Sequence, residues 1–434
     1  MKRASQWRTG VAMSIALLVS ATSAVFSLLP VSSHPDRHAF QVQESTRLAA
    51  APEQPSGPVG NIGVTNSEIV IGSCLPLTGK LDWKGKIISK TAEAYFDSVN
   101  EKGGINGRKI KFITCDDGYD PEKAVTCFNT CLKDKVFLGC FFNGSAAIAK
   151  YIRMAEINKL PLFGFLVGPN LVYDLHPYQF TLRPSYAQET ERLIKELYEV
   201  HNVHKVGLIY QSDVMGASIR ESVIKELNKY HTAPIAEASF SRDLNDPQTG
   251  LDLVEKSKPE VIILGVSSAG IPATIAWRTA SKCKSLCVTL SPMDDALRRQ
   301  GKNSDGVVIT EIAPPPESTQ SGVQRYRQLV SQRIPGEEPN FLGLEVFMNA
   351  EVLCEALKLA GPSLTREKFT QAMESLHEFD LGAGPKYKVS FNVHKHVGLD
   401  PSAIYFAQIQ GGKVVPASEQ DITKLVEQAR AAAK

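Results

Sequence analysis

From Glu68 onward the chain alternates two periodicities, and that alternation restricts its fold more than any other feature. Short runs rich in β-branched residues (EIVIGSCL, KIKFITC, KVFLGCFF, LPLFGFL) are separated by stretches with helically spaced apolar residues (KIISKTAEAYFDSVNEK, PEKAVTCFNTCLK, AAIAKYIRMAEINK). Strand and helix in succession predict a parallel sheet with helices on its faces. After RPSYAQETERLIKELYEV the pattern starts again with KVGLIY, SIRESVIKELNKY, PIAEASF, DPQTGLDLVEKS, EVIILGV, PATIAWRTASK, SLCVTLS and GVVITEI. The expected fold class is α/β, with two doubly wound, Rossmann-like lobes. Length agrees, since 434 residues exceed what one hydrophobic core usually holds. The halves also echo each other: KVFLGCFFNGSAAIAKYIRMAEINKLPLFGF and PEVIILGVSSAGIPATIAWRTASKCKSLCVT both run strand, small-residue loop, helix, basic turn, strand. Two such lobes leave a cleft between them, and ligands of open parallel sheets sit beyond the carboxyl ends of the strands. The loops at 75–85, 141–146, 164–170, 211–217, 266–272 and 291–296 are therefore the candidate binding loops.

The segment NEKGGINGRKIKFITCDDGYDPEKAV (100–125) concentrates turn chemistry. Gly103 and Gly104 follow a helix, where glycine takes the left-handed conformation without a Cβ penalty. Asn106-Gly107 is a turn dipeptide, and Asp120-Pro121 supplies an N-cap and a first-turn proline for the next helix. A dinucleotide loop needs G-x-G-x-x-G between a strand and the helix it opens, which neither this segment nor CLPLTGKLDWKG provides. Asp116 and Asp117, adjacent at a strand end, point to opposite faces and are expected to serve turns and caps rather than a metal.

A formal net charge of +2 gives no electrostatic case for nucleic acid and points to a small partner. Lys2, Arg3 and Arg8 precede VAMSIALLVSATSAVFSLL, which reads as an export signal over residues 1–29; an uncleaved anchor at 11–29 is the alternative. Residues 30–66 read as a disordered linker. No cysteine precedes Cys74, so a lipid anchor near the signal is excluded. An oxidising compartment favours disulfides. Cys127/Cys131 and Cys283/Cys287 have a spacing that rarely bridges within one helix, so Cys115 and Cys140, both at expected strand ends, are the local pair expected to bond. Zinc held by Cys115, Cys127, Cys131 and Cys140 is the alternative, without a CxxC pair to support it. His394 and His396 lack a nearby third ligand, and no G-x-S-x-G elbow is present. Neither a metal, a cofactor nor an enzymatic activity is expected.

Taken in order, CLPLTG, KGGINGRKI, CDDGYDPEKAV, LPLFGF, VGLIYQSDVMG and VITEIAPPP resemble the extracytoplasmic solute-binding proteins of ABC transporters, of the leucine/isoleucine/valine-binding type. The resemblance spans about residues 68–416. It implies the type I periplasmic-binding fold, with two lobes joined by three hinge crossings that close on a small molecule. A periplasmic location and a membrane permease as partner follow from the resemblance, and a monomer is expected. On this sequence the crossings fall near Arg183-Pro184, Ala313-Pro314 and Gly384-Pro385. One lobe then comprises 67–184 with 313–384 and the other 185–312 with 385–416, leaving 417–434 as a C-terminal helical tail.

The resemblance also implies a site. Asn143, Gly144 and Ser145, at a helix start, would present N–H groups and a hydroxyl to a ligand carboxylate. Gly168 and Pro169 match a second carboxylate contact, here without its usual hydroxyl, and Trp83 matches an aromatic wall. In the second lobe Met215 stands where many relatives carry an aromatic residue, and Ser267 and Ser268 stand where amino-acid binders often do. Asp294, or Asp295, falls near the acid that neutralises an ammonium, and Phe347 replaces a usual tyrosine. The expected function is capture of a small polar solute, an amino acid, amide or small carboxylate, and its delivery to an ABC permease. A ligand-sensing ectodomain tethered to the membrane and signalling to a partner receptor is the alternative.

Overall fold

The computed structural model describes residues 62–243, 246–281 and 283–434. The expected signal and nearly all of the expected linker lie outside them. In the first lobe, β1 (Glu68–Leu75) and β2 (Lys109–Asp116) pair in parallel, with Cys74 opposite Cys115. With β3 (Leu138–Cys140), β4 (Leu162–Phe163) and β5 (Gln179–Phe180) they form a sheet in the order β2-β1-β3-β4-β5. The crossover helices are α1 (Asp82–Glu101), α2 (Pro121–Cys127), which runs on into a π turn at Phe128–Leu132, and α3 (Ser145–Ile157).

The second lobe begins with α4 (Tyr186–Lys195) and continues through β6 (Val206–Gln211), α5 (Val214–Asn228), β7 (Ala236–Phe240), α6 (Gln248–Lys256), β8 (Val261–Gly265), α7 (Ile271–Ser281), β9 (Leu286–Thr289), α8 (Asp294–Arg298) and β10 (Val308–Glu311). Its parallel strands run β7-β6-β8-β9-β10, the same permutation as the first lobe. The repeat suspected in the sequence is thus the third strand, helix and fourth strand of each sheet.

After β10 the chain returns to the first lobe as α9 (Ser321–Arg333), α10 (Phe341–Leu359) and α11 (Arg366–Ser375). Every residue of α10 from Phe341 to Ala350 is buried, as expected of a helix apolar on nearly all sides. Arg366, 1% exposed, donates to the carbonyls of Val136, Phe137 and Asn158 and so fastens α11 across the loops ahead of β3 and β4. β11 (Phe379–Asp380) and β12 (Lys388–Val389) form a small hairpin, and β13 (Tyr405–Gln410) and β14 (Lys413–Pro416) add antiparallel strands to the second sheet. No described helix is long and apolar enough to cross a membrane.

The chain passes from the first sheet to the second at 181–185 and leaves the second after β10, whereas Gly384-Pro385 is not a crossing. Gly384-Pro385 turns the β11–β12 hairpin, and the following chain stays with the first lobe: His396 stacks on Phe180 at 3.9 Å, and the N–H groups of Gly398 and Leu399 donate to Thr181 O and Leu182 O. The crossing comes only at about 400–404, ahead of β13. Residues 417–434 are mostly helix, and α12 (Glu419–Ala433) is held to the second lobe by Arg430 on Glu260 (2.5 Å) and Thr423 on His201 (3.0 Å).

The expected Cys115–Cys140 bond is absent, and the bonded pair is Cys74–Cys127. β1 lies between β2 and β3, which puts Cys115 and Cys140 two strand spacings apart, ~9.5 Å and beyond the reach of a disulfide. His396 is a structural residue, its Nδ1 facing the carbonyls of His176 and Gln179.

Candidate functional site

The residues that meet between the lobes come from the carboxyl ends of the strands. A small cavity is walled by Leu81, Lys84, Tyr119, Asn143, Gly144, Ser145, Val167 and Tyr186 on one side and by Met215, Ser267, Ser268, Pro292 and Met293 on the other. Its free space is about 10 Å³, roughly that of one water molecule. The lobes touch here, with Lys84 Nζ 2.8 Å from Pro292 O, and a solute of several atoms needs them to move apart.

Local backbone chemistry aims each wall. Gly85 lies so close to the Pro76 carbonyl that a Cβ would not fit, which seats the first turn of α1 against the loop after β1 and turns Lys84 inward. Gly144 (φ 107°) breaks the chain sharply after β3, so α3 begins at Ser145 with its amide end toward the cavity. Asp213 accepts from Gly216 N (3.1 Å) and caps α5, whose first turn carries Met215. Tyr119 holds φ 62°, a conformation most side chains avoid, and the Arg242 guanidinium from the second lobe lies 4.6 Å from its ring centre.

The electrostatics are lopsided. Among the described residues Lys84 is the only charged side chain in the wall, 2% exposed, and its Nζ donates to Pro292 O across the cleft at 2.8 Å. Burial lowers its pKa, opposed by the charges of Asp294 and Asp295. Among the described residues no Asp or Glu lines the cavity. Two wall hydroxyls, Ser145 Oγ and Tyr186 Oη, are buried without a hydrogen-bond partner. Burial pushes the Tyr119 phenol up to about 12, so it stays a donor at any ordinary pH.

Of the residues singled out from sequence, Asn143, Gly144, Ser145, Met215, Ser267 and Ser268 stand in the wall together. Ser267 donates to Gln211 at 2.8 Å. Trp83 lies outside it, in a neighbouring hollow with Lys80, Ser268 and Arg299, whose guanidinium is 4.2 Å from the indole centre. Val167 lines the wall where Gly168 and Pro169 were expected; Gly168 instead accepts from Tyr186 N at 2.8 Å and so positions that tyrosine. Asp294 heads α8 behind the wall, and burial, with Asp295 beside it, raises its pKa to about 7. Phe347 packs in the first lobe against Tyr95 (5.3 Å) and Tyr326 (5.8 Å), on a helix that does not reach the cavity.

Lys84, Tyr119 and Tyr186 were missed. The signal for Lys84 is present in the sequence: it shares a helical face with Ile87, Ile88 and Thr91, all buried, so a cation stands on an apolar stripe.

Behind the cavity, at the first crossing, Arg183 is 1% exposed and donates to Leu166 O (2.9 Å) and Ser291 Oγ (2.7 Å), with Glu189 at 3.3 Å and Glu345 at 3.5 Å. Glu189 in turn accepts from Ser291 N, Ser291 Oγ and Thr310 Oγ1. This buried network joins both lobes where the hinge must bend.

Residues 68–413 match a family model described as periplasmic binding protein. The chain is 22% identical over 361 residues to the Leu/Ile/Val-binding protein homolog 2 of Brucella abortus (strain 2308), covering 79% of this chain and 91% of that one. A fatty acid ABC transporter substrate-binding protein from Thermomonospora curvata aligns with a TM-score of 0.72 at 20% identity, over 84% of this chain and 95% of that one. A branched chain amino acid ABC transporter structure from Thermus thermophilus with bound valine gives 0.72 at 16% identity, over 82% and 96%. At these identities the structural likenesses speak to the fold.

Proposed function

The chain belongs to the periplasmic binding protein family, whose members are extracytoplasmic, and from that premise we propose that it captures a small carboxylate-bearing solute between its lobes and presents it to an ABC permease. One observation carries the choice of ligand: among the described residues the wall holds a single charge, Lys84, and no acid. An ammonium group would find no carboxylate in the wall, whereas an anion meets a lysine, the amide end of α3 and two unpaired hydroxyls. Within the class of amino acids, amides and small carboxylates, this favours the carboxylates. The fatty-acid and branched-chain transport proteins of the same fold support a permease as partner.

A thermal-shift screen of matched sets, each carboxylic acid beside its amide and its α-amino acid, tests the reading. A ligand at a hundredfold its Kd adds about 2.7 kcal/mol to stability. Acids are expected to raise the melting temperature and their amides to leave it unchanged. Response to amino acids alone would keep solute capture and overturn the preference for a carboxylate without an ammonium group; silence across the whole set would reject both.

A further inference from the structure

Four cysteines meet at one corner of the first lobe. Cys74 in β1 and Cys115 in β2 are register partners in a parallel pair, so their side chains leave the same face of the sheet. Cys127 ends α2 and Cys131 lies one turn further, in the π turn that continues it, so these two share a helix face. That face lies over the two strands, because Cys74 and Cys127 are bonded. The sulfurs of Cys115, Cys127 and Cys131 lie within 4.8 Å of one another. Stepping from Cys74 to Cys115 crosses one strand, ~4.8 Å, and stepping from Cys127 to Cys131 climbs about one turn, ~5.4 Å. The two steps are nearly equal, so the second strand–helix pair repeats the geometry of the first.

We propose that Cys115 and Cys131 form a second disulfide, lying beside Cys74–Cys127 and riveting α2 to both strands. The inference rests on the extracytoplasmic reading for its oxidising surroundings. The two thiols lose two protons and two electrons as the S–S bond forms. The electrons go to an incoming disulfide of the extracytoplasmic thiol–disulfide pool, which is split into two thiols through a mixed disulfide on one of the pair. Cys140, also buried in this lobe, takes no part, because β1 separates its strand from β2.

The test uses the exported full chain, purified without reductant, alkylated, cut with trypsin and with chymotrypsin, and mapped by mass spectrometry before and after reduction. Chymotryptic cleavage after Phe128 separates Cys127 from Cys131. The expected result is one linked peptide pair holding Cys115 and Cys131 and another holding Cys74 and Cys127. Alkylated Cys115 and Cys131 beside an intact Cys74–Cys127 bond would overturn the proposal while leaving the compartment reading in place. Alkylation of all four would overturn both, and zinc bound in a ratio near one per chain would then assign the cluster to a tetrathiolate metal site. As a second measurement, a Cys74→Ser/Cys127→Ser variant is treated with oxidised glutathione. The Cys115–Cys131 pair should make it lose two titratable thiols, and a variant carrying Cys131→Ser as well should instead gain a glutathione adduct or keep its thiol; equal behaviour of the two variants would count against the bond.

Discussion

Lys84 concentrates the argument at the scale of single residues. Replacing it with glutamine keeps a donor near Pro292 O and removes the only charge of the cavity wall. Lys84→Gln is expected to weaken binding of the responding carboxylate roughly 10- to 100-fold, the worth of a hydrogen bond to a charged group, and to leave folding intact. Isothermal titration beside a melting curve checks both halves. Asp117 gives a separate prediction. Its Oδ1 accepts from Tyr119 N (2.8 Å), its Oδ2 has no partner, and burial raises its pKa to about 7. A carboxyl with a raised native pKa favours folding below its unfolded value, near 4, and that contribution is lost as pH rises through about 7. Asp117→Asn should therefore flatten the fall in stability between pH 4 and 8 and raise stability at pH 8 by ~1–3 kcal/mol, read from urea midpoints across pH. The residue scale is also where sequence reading was weakest. Lys84 was legible as a cation on an apolar stripe, but Tyr119 owes its place to a positive φ and Tyr186 to a hinge, and neither leaves a periodic trace.

Elements were far easier to read. β1 and β2 fall where alternation placed them, and the caps of the 100–125 segment are built as their residue types require: Gly103, Gly104 and Gly107 have positive φ, and Asp120 accepts from the N–H groups of Glu122 and Lys123. Asp120→Ala should cost about 1 kcal/mol, the usual worth of such a cap, seen as a lower urea midpoint with an unchanged slope. Failures at this scale have physical causes. KVFLGCFF and LPLFGFL shrink to β3 and β4, whose regular ladders are short although single sheet-like bonds continue beyond them, from Phe137 N to Val70 O, Phe141 N to Phe163 O and Gly164 N to Phe180 O. The Gly384-Pro385 segment was read as a crossing because it breaks structure, yet a hairpin turn needs the same residues. The disulfide was mispaired because adjacency in a sheet follows strand order, which sequence proximity does not reveal.

At the scale of the molecule, the feature that decides behaviour is the buried network around Arg183, which ties two acids to a cation across the hinge. Burial raises the pKa of both Glu189 and Glu345, and the Arg183 charge opposes it. Arg183→Leu leaves both acids buried without that charge and should cost about 3–5 kcal/mol at neutral pH. Since acids with raised native pKa values favour the folded state at low pH, the deficit should shrink as pH falls, with chemical denaturation at pH 5 and 8 as the check. The architecture has one more consequence, which concerns the order in which the chain is made. The face of α1 that carries Tyr95 is covered by Phe347 and its neighbours on α10, and the first sheet is completed by residues as late as Leu399. A growing chain that ends anywhere before these segments therefore holds an unfinished first lobe with an apolar face open to water. Whatever handles the chain during synthesis therefore meets an incomplete first lobe until about nine-tenths of the length has been made.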